Sequence, residues 1–395
     1  MSQSKHSLEQ QVTVVRRGAK RVRGGHLWVY RSDLAEGVDA AGGSIVWVID
    51  EAGNFVGQAL YSDRSEIALR FLSVRDETID RDWWRQRLRQ CAERRSKVRP
   101  ETNSYRLVYS EGDLLPSLIV DVYDEVFVIQ TLSQGTEAIK SMLVELLVEE
   151  FSPRAIIERN DVRVRELEGL ELSSGLLYGE APDEVQMVQD GVRFHVSPLR
   201  GQKTGAFLDQ RENYRAARQI AHGRALDCFT FNGGFALHIA PACETVTGLD
   251  VSGDAVAAAR LNGQLNGAGN VEFSEANVFD ELRRLESDGE RFDTIVLDPP
   301  AFAKNRRSVA KAVRGYKEIN LRALKLLNAG GVLVTCSCSF HILPHTFFEI
   351  VVEAARDSRR RLQIVESRTQ ASDHPILAGL PETQYLKCVI ARVIE

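Results

Sequence analysis

A cysteine and an aspartate follow two successive strands predicted in the C-terminal part of the chain. Asp298 comes directly after the apolar segment 294–297 and precedes two prolines that stiffen the turn. Cys338 comes two residues after the next predicted strand, 331–336. The carboxyl ends of neighbouring parallel strands meet at one edge of a sheet. A thiolate there can add to C6 of a pyrimidine and make C5 nucleophilic, while Asp298 holds the polar edge of the ring. The two residues therefore predict covalent chemistry on a base that has left its stack.

A turn with two glycines and two polar positions predict a nucleoside site at the same sheet edge. The turn, 227–235, follows the first predicted strand, and Asp250 ends the second, where a carboxylate can accept both ribose hydroxyls. Asn277 follows the third strand and can address an adenine edge. The turn lacks the G-x-G-x-x-G pattern of pyrophosphate sites, so S-adenosylmethionine fits better than NAD. The expected cofactor contacts here are Asp227, Phe229, Asn232, Gly233, Asp250, Val251, Asn277, Val278 and Asp298.

A run of basic residues begins six residues after Asp298, and no acidic residue intervenes before Glu318. Next to the predicted pocket, such a run would hold phosphates and so indicates a nucleic-acid substrate. A solvated loop is the alternative that the sequence leaves open. The expected nucleic-acid contacts are Lys304, Arg306, Arg307, Arg314 and Lys317.

The other cysteines and the histidines predict packing and no metal site. The six cysteines form no short disulfide framework and no Cys-x-x-Cys pair, which fits a reducing compartment. Cys336 alternates with Cys338 along the strand, so Cys336 is expected to point into the core. His341 and His345 have metal-ligand spacing, but Pro344 lies between them and no third ligand is near.

Length and composition are those of a multidomain globular protein. The 395 residues exceed one ordinary core, and the chain is 44% hydrophobic and 27% charged. No apolar run has the length of a membrane span and the first residues lead into no signal core, so we expect a cytoplasmic protein. The net charge is −5, and residues 101–200 hold 8 Lys+Arg against 19 Asp+Glu. Only the two ends of the chain are therefore expected to meet a polyanion.

The order of predicted elements divides the chain into three domains. Residues 11–78 show short strands separated by glycines, which is typical of a small β-barrel. Residues 79–197 show a linker helix and then an α+β domain. In residues 198–395, buried strands alternate with helices, which predicts a doubly wound α/β domain with parallel strands.

Six segments together resemble one family over essentially the full length of the chain. The segments are 23–30, 203–211, 298–302, 314–320, 337–339 and 373–375. They are similar to the RlmI-type family of large-subunit ribosomal RNA cytosine-C5 methyltransferases. The resemblance implies a PUA-like RNA-binding β-barrel, a central α+β domain and a Rossmann-like methyltransferase domain.

The resemblance also implies roles for individual residues. It implies S-adenosylmethionine as the methyl donor, ribosomal RNA as the partner, Cys338 as the nucleophile and Asp298 as the group that engages N3 of cytosine. The motif before the sheet adds Phe207, Asp209 and Arg211 to the expected cofactor contacts.

The chain departs from the family pattern at two places. Ala301 and Phe302 provide no second cysteine after the Asp-Pro-Pro turn, so the group that removes the C5 proton stays open. Asn277 stands where relatives often have an acid. Two other functions also stay open, methylation of a purine nitrogen and a non-catalytic role in ribosome assembly through RNA binding. The missing pyrophosphate loop disfavours a nicotinamide dehydrogenase, and the sequence leaves the oligomeric state open, with a homodimer among the options.

Overall fold

The structure is a computed structural model, and it describes residues 10–199, 206–303 and 305–394. The chain forms two compact units. The first unit consists of residues up to Met187, Val196–Ala206 and Asp373–Thr383. The second unit consists of Val188–His195, Phe207–Ser372 and Gln384–Glu395. Apart from Val188–His195, the first two predicted domains therefore lie in one compact unit, and the three-domain division stays a prediction.

A curled five-stranded sheet forms the N-terminal part of the first unit. Its strands are β1 (Gln11–Val14), β2 (Trp28–Tyr30), β3 (Ile45–Asp50), β4 (Phe55–Tyr61) and β5 (Ile67–Ser73), in the order β1-β3-β4-β5-β2. The antiparallel strands β3 and β4 form a hairpin around Gly53. One helix, α1 (Arg16–Arg23), was not predicted. Five of its eight residues are basic, and its buried face includes the small residues Gly18 and Ala19, so the segment shows no clear apolar periodicity.

A second five-stranded sheet, with three helices, completes most of the first unit. The helices are α2 (Arg81–Arg94), α3 (Gln134–Ala138) and α4 (Lys140–Phe151). The strands are β6 (Ser104–Tyr109), β7 (Leu118–Tyr123), β8 (Val126–Thr131), β9 (Ala155–Asn160) and β10 (Ser173–Gly179), in the order β10-β9-β8-β7-β6. Asp80 caps α2 by accepting from the Trp83 backbone N–H at 2.9 Å. The helices α3 and α4 meet at Ile139.

The segment Asp373–Thr383 joins the first unit through buried polar contacts. Arg95 is 2% exposed and makes a bidentate ion pair with Asp113, with both N···O distances at 2.6 Å. The same guanidinium donates to the Asp373 carbonyl at 2.7 Å, and the Arg106 backbone N–H donates to the Asp373 carboxylate at 2.9 Å. Breaking a buried ion pair of this kind is costly, so these contacts anchor the segment.

A seven-stranded sheet, which carries the predicted site, forms the core of the second unit. Its strands are β13 (Arg224–Cys228), β14 (Thr245–Asp250), β15 (Val271–Glu275), β16 (Phe292–Leu297), β17 (Leu327–Ser337), β18 (Leu362–Arg368) and β19 (Lys387–Val393). A hairpin of β11 (Val185–Gln189) and β12 (Val192–Val196) precedes it. The helices are α5 (Arg211–Ile220), α6 (Gly234–Ile239), α7 (Gly253–Leu265), α8 (Val278–Ser287), α9 (Val309–Leu326) and α10 (Pro344–Asp357).

The strand order β15-β14-β13-β16-β17-β19-β18 brings the carboxyl ends of five adjacent strands to one edge of this sheet. The strands from β13 to β17 are parallel, as the alternation of strands and helices predicts. By contrast, β19 runs antiparallel to both of its neighbours. The alternation ends before β18, so the sequence pattern gave no sign of this reversal.

Within the described residues, the helices are all too short or too polar to cross a membrane.

Candidate active site

The structure brings Cys338 and the Asp298 turn together at the carboxyl edge of the second unit's sheet. Asp298 follows β16 and Cys338 follows the adjacent strand β17. The Cys338 Sγ lies 3.9 Å from the carbonyl oxygen of Pro299. Behind the thiol, the buried Ser339 Oγ accepts from the Ala303 N–H at 3.1 Å, so the two loops are tied to each other.

Among the six cysteines, Cys338 alone is not buried. Cys336 is fully buried and stands opposite Cys388 in the β17–β19 register. Burial raises the pKa of Cys336 well above its usual value, and its neighbours Cys388 and Asp298 add to this effect. Since the thiolate is the reactive form of cysteine, Cys336 is a packing residue, as the alternation predicts.

A chain of side chains fixes the orientation of Asp298. The Gln210 Nε2 donates to Asp298 Oδ1 at 3.0 Å, and the Asn213 Nδ2 donates to Gln210 Oε1 at 2.7 Å. Arg368 Nε in turn donates to Asn213 Oδ1 at 3.0 Å. Because a guanidinium can only donate, this contact sets the direction of both amides and turns an N–H of Gln210 towards Asp298. Gln210 is not among the predicted site residues, although it lies in the segment 203–211.

The turn after β13 is held in a strained conformation. Phe229 and Phe231 have φ angles of 63° and 51°, in the left-handed region that side chains rarely adopt. Asp227 Oδ2 fixes the turn by accepting from Thr230 Oγ1 at 2.6 Å and from the Ala236 N–H at 2.9 Å. Strain of this kind persists where the surroundings enforce it and is concentrated at functional sites.

Asp227 is fully buried, and burial raises the pKa of its carboxyl group. Burial raises the pKa of Asp227 to about 7, against the opposing effect of its two hydrogen bonds, and the charge of Asp250 raises it further. Within the described part of the chain, Asp227 Oδ1 has no hydrogen-bond partner. A buried acceptor without a donor is costly, so Asp227 Oδ1 offsets part of the stability that the two hydrogen bonds of Oδ2 contribute.

The residues at the end of β14 fit an adenosine. Asp250 is half-buried, and its two oxygens accept from the N–H groups of Phe231 at 3.0 Å and Ser252 at 2.9 Å. Each oxygen keeps a lone pair for a ribose hydroxyl. Val251, beside it, is an apolar side chain with 67% exposure, which a flat purine would cover. The carboxylate, the exposed valine and the strained turn are therefore a suitable set for S-adenosylmethionine.

The other cofactor residues predicted after β13 and β15 lie near this edge in different roles. Asn277 caps α8 by accepting from the Phe279 N–H at 3.0 Å, which leaves its amide nitrogen to donate. Val278 is 2% exposed and packs in the core, so only its backbone can face a ligand. Asn232 is half-buried, and Gly233 takes a φ of 90° that favours glycine.

The three cofactor residues implied before the sheet are also positioned by contacts within the second unit. Phe207 packs edge-on against Phe231, with ring centroids 4.9 Å apart. Asp209 is buried and accepts a hydrogen bond from the Tyr385 hydroxyl, and Arg211 is fully buried. Residues 203–205 of the same motif lie outside the described residues.

The predicted nucleic-acid contacts divide into two groups. Arg306, Arg307 and Arg314 are exposed. Lys317 instead pairs with Glu353 at 3.0 Å and Asp357 at 2.9 Å, and these partners raise the pKa of Lys317. Lys317 is thus largely neutralised by α10, while Lys304 lies outside the described residues.

A search for three or more His, Cys, Asp or Glu side chains placed to hold a metal ion finds no such group in the part of the chain that the structure describes.

Two family profiles match the sequence. Residues 12–74 match the PUA-like domain, and residues 164–386 match the S-adenosylmethionine-dependent methyltransferases. These matches confirm the expected fold class, with a PUA-like N-terminal part and a methyltransferase domain at the C-terminal end.

Curated relatives are similar along nearly the whole chain. The ribosomal RNA large subunit methyltransferase I of Erwinia tasmaniensis is 39% identical over 379 residues, which cover 93% of this chain and 96% of the relative. The protein of the same name from Shewanella amazonensis is 41% identical over 378 residues, with 93% and 95% covered.

Solved structures share the fold at low identity. A candidate S-adenosylmethionine-dependent methyltransferase from Streptococcus mutans has a TM-score of 0.82 at 18% identity, covering 97% of this chain and 100% of its own. A candidate methyltransferase complexed with S-adenosylhomocysteine has a TM-score of 0.84 at 18% identity and the same coverage. From the profile and the curated relatives, the chain belongs to the S-adenosylmethionine-dependent methyltransferases, in the family that includes the ribosomal RNA large subunit methyltransferases I.

Proposed function

We propose that this protein forms 5-methylcytosine in large-subunit ribosomal RNA through a covalent adduct on Cys338. One observation carries the cytosine-C5 assignment: a half-buried thiol lies 3.9 Å from the Pro299 carbonyl, in the turn that begins with Asp298. A purine-nitrogen methyltransferase has no use for such a sulfur. The names of the curated relatives support large-subunit ribosomal RNA as the substrate.

In this mechanism, Cys338 is the covalent nucleophile. Its thiolate forms a bond with C6 of the cytosine, and the ring electrons move towards N3 and C5. N3 takes a proton as the ring electrons move towards it, and the Asp298 carboxylate, oriented by Gln210, accepts a hydrogen bond from this N3–H. C5 then bonds to the methyl group as the bond between that group and the donor sulfur breaks. The C5 and N3 protons then pass to solvent, and the bond between C6 and the Cys338 sulfur breaks, which restores the ring.

The cofactor contacts proposed for this reaction lie along the sheet edge. Bound S-adenosylmethionine supplies an electrophilic methyl group. Asp250 would accept the ribose hydroxyls and Val251 would pack on the adenine, while the backbone of the Phe229–Gly233 turn would face the rest of the molecule. Of the basic run, Arg306, Arg307 and Arg314 are the residues we propose to hold RNA phosphates, because their charges are exposed.

Replacement of the nucleophile tests the proposal most directly. We expect Cys338→Ala to abolish methyl transfer to ribosomal RNA, because no other exposed thiol can form the adduct. Binding of S-adenosylmethionine, measured by calorimetry, should be retained. Cys243→Ala removes a different, buried thiol of the same unit and serves as the matched control, with transfer preserved. Full turnover in Cys338→Ala would exclude Cys338 as the nucleophile.

A trapped adduct distinguishes cytosine C5 from the alternatives. RNA that contains 5-fluorocytidine cannot lose a proton from C5, so the enzyme should remain bonded to it through Cys338. Denaturing electrophoresis and mass spectrometry of the peptide that contains Cys338 would detect the product. A protein that methylates purine nitrogens should transfer methyl groups without any adduct, and a non-catalytic assembly factor should do neither.

A further inference from the structure

Lys387 places a buried ammonium next to the loop that carries Cys338. Lys387 is the first residue of β19 and stands opposite Ser337 in the register with β17, one residue before the thiol. Its Nζ donates to the Ser339 carbonyl at 2.7 Å and to the Tyr385 carbonyl at 2.8 Å. The residue is 5% exposed. The ammonium is therefore held by two backbone carbonyls, one of which follows the thiol directly in the nucleophile loop.

This ammonium lacks the partner that a buried cation usually has. Within the described residues, no carboxylate forms an ion pair with Lys387, and both of its acceptors are neutral carbonyls. A buried charge without a counter-charge is costly. Burial lowers the pKa of Lys387 to about 8, and the charge of Cys338 acts in the opposite direction. The thiolate thus favours the ammonium, and the ammonium must favour the thiolate equally.

Three described groups near this loop, Asp298, Tyr316 and Tyr385, carry no positive charge. Asp298, in the turn after β16, is acidic and opposes a second negative charge. Tyr316, on α9, bonds to Ser339 Oγ at 2.9 Å, and burial raises the pKa of its phenol, so it stays neutral at pH 7. The Tyr385 hydroxyl donates to Asp209.

We propose that the Lys387 ammonium is the counter-charge that ionises the Cys338 thiol, and that Lys387 is a positioning residue for the nucleophile. The proposal rests on the proposed function, in which Cys338 must act as a thiolate. The thiol proton passes to solvent, and the sulfur keeps the electron pair that later bonds to C6. Lys387 itself keeps its proton at pH 7 and touches neither base nor cofactor.

Alkylation of the free protein tests the proposal without RNA. The other five cysteines are buried, so iodoacetamide should react with Cys338 in the native protein, and Cys338→Ala identifies this reaction by its absence. The rate follows the thiolate fraction, and its midpoint in the wild type should lie below the free value of about 8.5. Lys387→Met should raise the midpoint by about one pH unit or more, which reduces the rate at pH 7 about tenfold.

Two variants separate charge from structure. Lys387→Arg keeps the charge and should keep the midpoint near that of the wild type. Lys325→Met removes a lysine of the same unit that pairs with Glu286 instead, and it should leave the midpoint unchanged. An unchanged midpoint in folded Lys387→Met overturns the proposal. If that variant does not fold, a wild-type midpoint at or above about 8.5 overturns it as well.

Failure of the Lys387 proposal can be distinguished from failure of the proposed function. Failure of the 5-fluorocytidine RNA to trap wild-type protein removes the cytosine-C5 mechanism, whatever the alkylation shows. A trapped adduct together with an unshifted alkylation midpoint in Lys387→Met keeps that mechanism and removes Lys387 from it.

Discussion

At the scale of single residues, orientation at the site depends on amides and a serine more than on charge. Gln210 and Asn213 are buried and form a hydrogen-bonded chain between the Arg368 guanidinium and Asp298. Because Arg368 can only donate, this chain makes Gln210 donate to Asp298. Ser339 ties the turn after Asp298 to the nucleophile loop. None of these side chains takes part in the proposed chemistry, yet each restricts the geometry of one that does.

Removal of the Gln210 amide should weaken catalysis without unfolding the protein. In Gln210→Leu, Asp298 loses a donor, and a hydrogen bond to a charged group is worth about 1.5–3 kcal/mol. We expect kcat/KM for methyl transfer to fall roughly tenfold or more, since 1.36 kcal/mol corresponds to a factor of about ten. Gln264→Leu, on the exposed surface of α7, is the control. Equal kcat/KM values in wild type and Gln210→Leu would mean that Asp298 is oriented by other contacts.

At the scale of elements, the strand-to-helix turn after β13 combines strain with a buried carboxyl group. The left-handed Phe229 and Phe231 and the shifted titration of Asp227 both reduce stability. Gly234 lets α5 and α6 approach, because a Cβ there would lie 2.5 Å from the Tyr214 hydroxyl. The turn is thus built for close contact at the cost of local stability, as expected for a ligand site.

Asp227 should make the stability of the second unit depend on pH. Its pKa is about 7 in the fold and about 3.8 when unfolded, so the native state holds more protons between these values. Stability should therefore fall as pH rises from 4 to 7, by up to about 1.4 kcal/mol per pH unit. Asp227→Asn cannot titrate, so its unfolding free energy relative to wild type should increase over this range.

Urea unfolding at several pH values, followed by circular dichroism, measures this effect. Tryptophan fluorescence would not measure it, because all four tryptophans, at 28, 47, 83 and 84, lie in the first unit, whereas Asp227 lies in the second. Parallel stability curves for wild type and Asp227→Asn between pH 4 and 7 would show that Asp227 is ionised in the fold.

At the scale of the whole molecule, a net charge of −5 must coexist with an RNA substrate. The exposed arginines after the Asp298 turn lie on the loop and helix that follow β16, next to the carboxyl edge of the sheet. By contrast, Arg224 begins β13 at the opposite edge and pairs with Glu290. A local concentration of unpaired charge can bind phosphates even when the whole chain is acidic.

Loss of two of these arginines should weaken RNA binding in a salt-dependent way. For Arg306→Gln combined with Arg307→Gln, the slope of log K against log salt should become shallower by roughly 1.4, for two contacts to single-stranded RNA. Filter binding from about 50 to 200 mM salt would measure it. Arg224→Gln combined with Arg284→Gln removes the same charge from paired residues and should change the slope little. Equal slopes for the two double variants would remove the basic run from the RNA site.

The sequence alone determined the sheet edge and the residues that end its strands. Buried runs such as 294–297 predict parallel strands because both faces are covered, and parallel strands bring Asp250, Asp298 and Cys338 to one edge. The alternation of Cys336 with Cys338 likewise identified which thiol is buried. These inferences depend on the periodicity of apolar residues and on the succession of strands and helices along the chain, both of which can be read from the sequence.

Only the tertiary structure decided what surrounds those residues. Lys387 is 49 residues from Cys338 along the chain, and its ammonium reaches the nucleophile loop because β19 returns antiparallel to β17. The same fold buries the Gln210 amide against Asp298 and neutralises Lys317 with α10. Contacts between distant segments depend on the register and direction of elements that no local pattern encodes. Sequence periodicity therefore predicts the groups that we propose to react, but not the residues that surround them.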